Sequence, residues 1–298
     1  MLRQADAAPT ALTPTFTSES EHDVTTLQIG SIEIAVVPDG RLRMDPALMF
    51  GDTQPEAWRK LVQLDQGRVP FSVNCLLVRI GERRILLDTG TGRDEPALME
   101  RYGGECGYLP DNLGKLGVAL GDIDTVILSH AHGDHVGGAT RRAAEQPLPT
   151  FPNARYWVWK AEWDYWTTPQ AFAERPFLER KLAPLASHGR LELPDAEVEV
   201  APGVRLISAP GHTPGHVCIA LTSGREMAIY TGDLLHHHAQ LDHPEWSPAF
   251  DLLPELSAES RRRILERAVR ERALLLTAHL PTPGIARPTD AGSWQTEP

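Results

Sequence analysis

Cysteine is scarce in this 298-residue chain: Cys75, Cys106 and Cys218 are the only three, far apart and never in a Cys-x-x-Cys pair. They cannot assemble a disulfide framework or a thiolate zinc site, and they read as reduced thiols. Long apolar runs are missing too. No stretch approaches the roughly 18 apolar residues of a membrane-spanning helix. Residues 1–22, rich in Ala, Thr, Pro and Ser, hold no apolar core of signal-peptide type and read as a flexible N-terminal arm. A soluble, cytoplasmic protein without a membrane partner is the expectation. Basic residues are outnumbered, 29 Lys and Arg against 40 Asp and Glu, and the formal charge of −11 repels phosphate backbones. Nucleic acid is therefore not an expected partner. At 41% hydrophobic residues the chain can bury a sizeable core, and with no linker between its halves residues 23–298 read as one domain.

Against this background one stretch stands out, Ser-His-Ala-His-Gly-Asp-His-Val-Gly-Gly at residues 129–138. His130, His132, Asp134 and His135 fall within six residues. Three imidazoles and a carboxylate are costly to bury unpaired, yet they are a ready donor set for a divalent metal.

The flanking pattern repeats one event, a strand delivering a metal-type side chain to a loop. Residues 24–37 alternate as a hairpin ending at Pro38-Asp39-Gly40, a turn signal. Residues 71–77 and 78–87 are β-like, and the second run leads into Asp88-Thr-Gly-Thr-Gly. That loop lacks the lysine of a phosphate-binding loop and the full dinucleotide fingerprint. Asp88 reads as a carboxylate supporting a metal ligand. Residues 110–120 predict a helix, and 123–128 a buried strand ending on the histidine cluster. Residues 151–159 are a strand candidate, followed by Trp163, Tyr165 and Trp166 and a helix over 169–185. Alternating strands over 198–208 lead to Ala-Pro-Gly-His212-Thr-Pro-Gly-His216, and the strand at 227–230 ends at Thr-Gly-Asp233. Ser257 is placed to cap a helix running to about residue 272, residues 273–278 form a last strand ending at His279, and the tail reads as Pro-rich coil. Five such strand ends predict two packed sheets with outer helices aiming their loops at one cleft.

His130 and His132, two residues apart on an extended loop, can face one ion, with His212 closing that site. Asp134 and His135 diverge and suit a second ion, which His279 can complete, while Asp233 has two oxygens to bridge the pair.

This pattern resembles the metallo-β-lactamase superfamily over residues 27–287. His130-Ala-His132-Gly-Asp134-His135 matches its His-x-His-x-Asp-His motif, and His212, Asp233 and His279 match its later ligands in order. The resemblance implies an α/β (α+β) fold, a four-layer αβ/βα sandwich of two mixed sheets packed face to face with outer helices. It implies a dinuclear zinc site, with Mn, Fe or Co compatible with the same donors. His130, His132 and His212 would hold one ion, Asp134, His135 and His279 the other, with Asp233 and a hydroxide between them. Asp88 corresponds to the Asp of an early Asp-x-Gly motif that supports the ligand histidines. A hydroxide at neutral pH could then attack a carbonyl or phosphoryl centre, with Asp134 orienting it or accepting its proton.

Gln240, His243-Pro-Glu-Trp246 and Asp251, with Phe151-Pro-Asn-Ala and Trp163-Asp-Tyr-Trp166, resemble the branch of N-acyl-homoserine lactonases and methyl-parathion-type organophosphate hydrolases. The implied function is hydrolysis of a small neutral ester or lactone, first of all a quorum-quenching lactonase activity. Organophosphate triesterase, glyoxalase-II-like thioesterase and, outside catalysis, a metal-binding ligand sensor are the alternatives. The resemblance also raises homodimerisation through the N-terminal arm. His236 departs from the branch, which commonly has a tyrosine three residues after the bridging Asp; it is placed either to hydrogen-bond substrate or to stabilise its loop. His216 is expected to make structural hydrogen bonds.

Overall fold

A computed structural model describes residues 23–94, 100, 103–143 and 146–297. Residues 1–22, read above as an arm, lie outside them. The first sheet draws on β1 (Thr25–Ile29), β2 (Ile32–Met44), β3 (Val69–Ile80), β4 (Arg83–Leu87), β5 (Glu105–Cys106), β6 (Thr125–Leu128), β9 (Arg155–Val158) and β10 (Leu191–Glu192). Its order is β1-β2-β3-β4-β6-β9-β10, with β5 beside β2, while β7 (Thr140–Arg141) and β8 (Leu148–Pro149) pair separately. Strands β1 to β4 are antiparallel neighbours, whereas β4, β6, β9 and β10 run parallel.

The second sheet takes its strands in sequence order, β11 (Glu199–Ala201), β12 (Val204–Ser208), β13 (Val217–Ser223), β14 (Glu226–Tyr230), β15 (Leu274–Leu276), β16 (Ile285–Pro288) and β17 (Trp294–Thr296). Only β14 and β15 pair in parallel, and the helix Pro254–Glu271 supplies the crossover between them.

The sheets share one core because strand side chains alternate between faces. Val217, Ile219 and Leu221 of β13 meet Ile34, Val36 and Leu76 of the first sheet. The intervening Cys218 and Ala220 face outward against Ile264, Leu265 and Ala268 of the helix Pro254–Glu271. On the other flank Cys75, Leu77 and Val126 lie beneath Leu109 and Leu113 of the helix Leu109–Lys115 and Leu178 and Leu182 of the helix Pro176–Ser187. Burial on both faces explains the near-continuous apolar runs, each enclosed Leu or Ile contributing about 1.5–3 kcal/mol. This is the mixed α/β sandwich expected.

Several local readings are corrected. Pro38-Asp39-Gly40 is a bulge inside β2, which continues to Met44 with a register shift between Pro38 and Gly40. A β-carbon on Gly40 would lie 2.0 Å from the Glu105 carbonyl of β5, so only glycine fits. The bulge frees the buried Asp39 carboxylate to accept from Thr91 N at 2.8 Å and Leu109 N at 3.0 Å, fastening the loop after β4. The helix expected over 110–120 runs Leu109–Lys115, and Gly117 beyond it takes φ 68°. The segment expected as one helix over 169–185 is two, Pro169–Glu174 and Pro176–Ser187, because Arg175 precedes a proline and leaves the helical region. The last long helix starts at Pro254, whose ring presets φ, so Ser257 lies inside it rather than at its cap. The tail expected as coil pairs as β16 and β17. Among the described residues no helix is long and apolar enough to cross a membrane.

Candidate metal centre

Parallel pairing of β4 and β6 sets their ends side by side, so Asp88 and Ser129 are neighbours. Asp88 takes φ 59°, a left-handed conformation that an aspartate tolerates better than most residues. Its carboxylate accepts from Ser129 N and Ser129 Oγ at 2.7 Å and from the Tyr230 hydroxyl at 2.8 Å, and its Oδ2 meets His135 Nδ1 at 2.7 Å. That partner turns His135 Nε2 toward the cleft.

The short helix Gly133–Val136 carries Asp134 and His135, and the loop after β12 carries His212. Asp233 sits on the 3-10 turn Gly232–Leu234 after β14, and His279 follows β15. The structure brings all seven predicted metal-type residues together around Asp233. Asp233 Oδ1 lies 2.7 Å from His135 Nε2 and 2.8 Å from His279 Nε2. Asp233 Oδ2 lies 3.1 Å from His212 Nε2 and 3.5 Å from His130 Nε2. His132 Nδ1 is 2.8 Å from His212 Nε2, and Asp134 Oδ2 lies 3.7 Å from His279 Nε2. Donor atoms of His130, His132, His212 and Asp233 fall within 4.8 Å of one another, as do those of Asp134, His135 and His279.

The arrangement fits a cation better than it fits itself. His130 Nε2, His135 Nε2 and Asp233 Oδ1 are buried without a hydrogen-bond partner, although His135 and Asp233 approach to 2.7 Å. They converge without hydrogen-bond alignment, a costly state that a divalent metal resolves. Burial lowers the pKa of His130 and His132 well below the ordinary value, which keeps both imidazoles neutral and ligating. Burial opposes a charge on Asp233, yet His135 and then His279 outweigh it and hold the carboxyl well below its usual range. Burial also disfavours protonated His212, but Asp233 and then Asp251 raise it to about 9, so a metal and a proton compete for that imidazole.

His236 also enters the cluster, its Nε2 3.1 Å from Asp233 Oδ2 and its ring stacked on His279 at 5.2 Å. Its backbone N–H donates to Gln240 Oε1 at 2.7 Å. His216 makes structural bonds, meeting Ala209 O through Nδ1 at 3.0 Å and accepting from Asp233 N at Nε2, 3.1 Å away. Burial, then His212, pushes it down to about 3, consistent with the neutral form these bonds need. His237 and His238 lie outside the cluster.

Apart from Asp88, sequence reasoning assigned none of the groups that support the candidate ligands. Asp251 Oδ1 meets His212 Nδ1 at 2.8 Å, the Ser72 carbonyl meets His279 Nδ1 at 2.8 Å, and Arg261 approaches Asp251 at 3.5 Å. Glu162 was likewise unflagged, one of two acids, with Asp164, in the aromatic helix Lys160–Trp166. Aromatic edges wall the centre: Phe71 against His279 at 5.0 Å, Phe250 against His236 at 5.0 Å, and Trp166 against His132 at 5.8 Å.

Two packed mixed sheets with helices outside, and a His/Asp cluster on the loops at their strand ends, define a metal-dependent hydrolase. Residues 68–279 match the family model described as the metallo-beta-lactamase superfamily, and the chain belongs to that superfamily. An N-acyl homoserine lactonase of Bacillus thuringiensis is 25% identical over 256 residues, covering 82% of this chain and 91% of the relative. A beta-lactamase-like protein 2 homolog of Drosophila melanogaster is 31% identical over 170 residues; the match takes in 54% of this chain and 46% of that protein, less than half its length. The solved structure of AidC, a dizinc quorum-quenching lactonase in complex with a product, superposes with a TM-score of 0.79 at 26% identity, covering 93% of this chain and 98% of that one.

Asp88→Asn keeps the side-chain size and removes the charge behind His135. Metal affinity is expected to fall about 10–100-fold, the usual effect of losing such a support. Chelator-competition titration reads this, and unchanged affinity would count against the role given to Asp88.

Proposed function

We propose that residues 23–298 act as one domain, a two-zinc hydrolase that opens lactones or cleaves small neutral esters, with an N-acyl-homoserine-lactone type of substrate first. The observation that carries this is the division of Asp233, whose Oδ1 faces His135 and His279 while Oδ2 faces His212 and His130. A carboxylate split between two histidine groups suits a bridge. His130, His132 and His212 would hold one cation, and Asp134, His135 and His279 the other. Such a pair supplies Lewis acidity toward a carbonyl oxygen and makes water acidic enough to react near neutral pH.

The protein's own groups do the rest. Asp134, 21% exposed at its side chain, is open to solvent where the other ligand carboxylate is enclosed, and it is assigned to orient the attacking water and take its proton. His236 holds the Asp233 carboxylate from the side. Phe71, Phe250 and Trp166 give the approach apolar walls suited to an uncharged substrate.

A panel on zinc-loaded protein tests the reading: an N-acyl homoserine lactone, a simple ester, a thioester and paraoxon. Lactone opening is expected to be fastest. Two tightly bound zinc ions with no turnover of any of the four would make the protein a ligand sensor, and turnover of paraoxon above the lactone would make it a phosphotriesterase.

A further inference from the structure

We propose that Glu162 is a positioning residue that sets the spacing of the metal site formed by His130, His132 and His212; this rests on the two-ion reading above. Glu162 lies in the first turn of the helix Lys160–Trp166 and is fully enclosed, at 0% exposure. Each carboxylate oxygen serves a different loop. Oε1 accepts from Ala131 N at 2.8 Å and from Trp166 Nε1 at 2.7 Å, and Ala131 stands between His130 and His132. Oε2 accepts from Thr213 Oγ1 at 2.7 Å and from Gly215 N at 3.0 Å, on the loop that carries His212. One rigid group thus spans the two loops whose imidazoles, His132 and His212, meet at 2.8 Å.

An independent feature marks the same contact. A β-carbon on Gly215 would lie 2.1 Å from Glu162 N and 2.5 Å from its Cα, so the loop packs directly on the helix backbone. The glycine in Gly-His-Thr-Pro-Gly-His is needed for that approach. The other histidine group is braced elsewhere, His135 by Asp88 and His279 by the Ser72 carbonyl. The influence of Glu162 is therefore confined to one site.

Its four donors require a carboxylate. A glutamine could keep two bonds through its oxygen, and its NH2 could donate to the Thr213 hydroxyl, but that NH2 would then oppose the Gly215 N–H. The loop carrying His212 is released and the His130–His132 loop is kept.

The test is zinc titration of the full chain against a chelator, with cadmium-113 NMR of the cadmium-loaded protein to read each site separately and His212→Ala to assign the resonances. Wild type should hold two ions. Glu162→Gln should weaken one of them about 10–100-fold, perturbing the resonance of the His130, His132 and His212 site and leaving the other in place. Thr213→Val removes a single bond and should shift the same site by less; it carries the test if Glu162→Gln does not fold. Equal weakening of both sites, or none, overturns the proposal while two ions in wild type keep the two-ion reading. Fewer than two ions in wild type overturns both.

Discussion

Replacing Asp233 with alanine is expected to abolish both metal binding and hydrolysis, the largest effect of any single change in this chain. Asp233 is 3% exposed, and each of its oxygens faces at least two imidazole nitrogens from different loops. Among the described residues no other carboxylate reaches both histidine groups, since Asp134 Oδ2 stands 3.7 Å from His279 and 3.8 Å from His135 on one side only. Alanine leaves one set of three imidazoles and a second whose only carboxylate is Asp134, too little negative charge to offset the two dications of the proposed buried site. Activity should fall by more than about 10³-fold, beyond the loss of a single oxyanion-stabilising donor. Asp233→Asn, which keeps the shape and one acceptor oxygen, should lose the ions less completely. Metal content by elemental analysis alongside hydrolysis rates checks both variants, and full occupancy with wild-type rate in Asp233→Ala would remove Asp233 from the centre of the site.

The residues of the candidate metal cluster were legible because they were contiguous, His130 to His135, or stood at the ends of strongly apolar strands, as Asp233 and His279 do. The sandwich was legible for the same reason: runs such as residues 217–221 and 274–276 allow only a buried strand or a buried helix, and their length favours strand. Tertiary context decided the rest. Pro38-Asp39-Gly40 has the composition of a turn, but the partner strand β3 continues past it and β5 pairs beside Gly40, so the chain bulges and runs on. The tail became two strands because β15 had an open edge to fill. The supports other than Asp88 were hidden for a different reason. Glu162 and Arg261 are charged residues on helices, and charge on a helix ordinarily means solvent. Periodicity alone could have flagged Arg261, which shares a face with Ser257, Ile264, Leu265 and Ala268.

That arginine is where the largest loss of stability is expected. Arg261 is completely enclosed, at 0% exposure, and its guanidinium donates to the carbonyls of Leu234 at 2.6 Å, Pro244 at 2.7 Å and Trp246 at 3.1 Å, and to Ser257 Oγ at 3.2 Å. It also faces Asp251 at 3.5 Å, and Asp251 in turn holds His212. Arg261→Met keeps much of the volume but removes the cation facing the buried Asp251, which is left with His212 alone at 2.8 Å, and takes the guanidinium donor from the Leu234 and Pro244 carbonyls, while the Trp246 carbonyl keeps the Gln240 amide at 2.9 Å. Removing one partner of a buried pair costs about 3–5 kcal/mol, which at about 2–4 °C per kcal/mol lowers the melting temperature by roughly 10 °C. Arg262, next in the chain, points to solvent, so Arg262→Met should stay within about 0.5 kcal/mol of wild type. Because the carbonyls belong to the segment that follows Asp233 and carries His236, the Arg261 variant should also weaken metal binding at the His212 side before the fold is lost. Thermal unfolding of both variants, with zinc affinity measured well below the transition, separates the two effects. An Arg261→Met protein as stable as Arg262→Met would show that this buried network contributes nothing beyond packing.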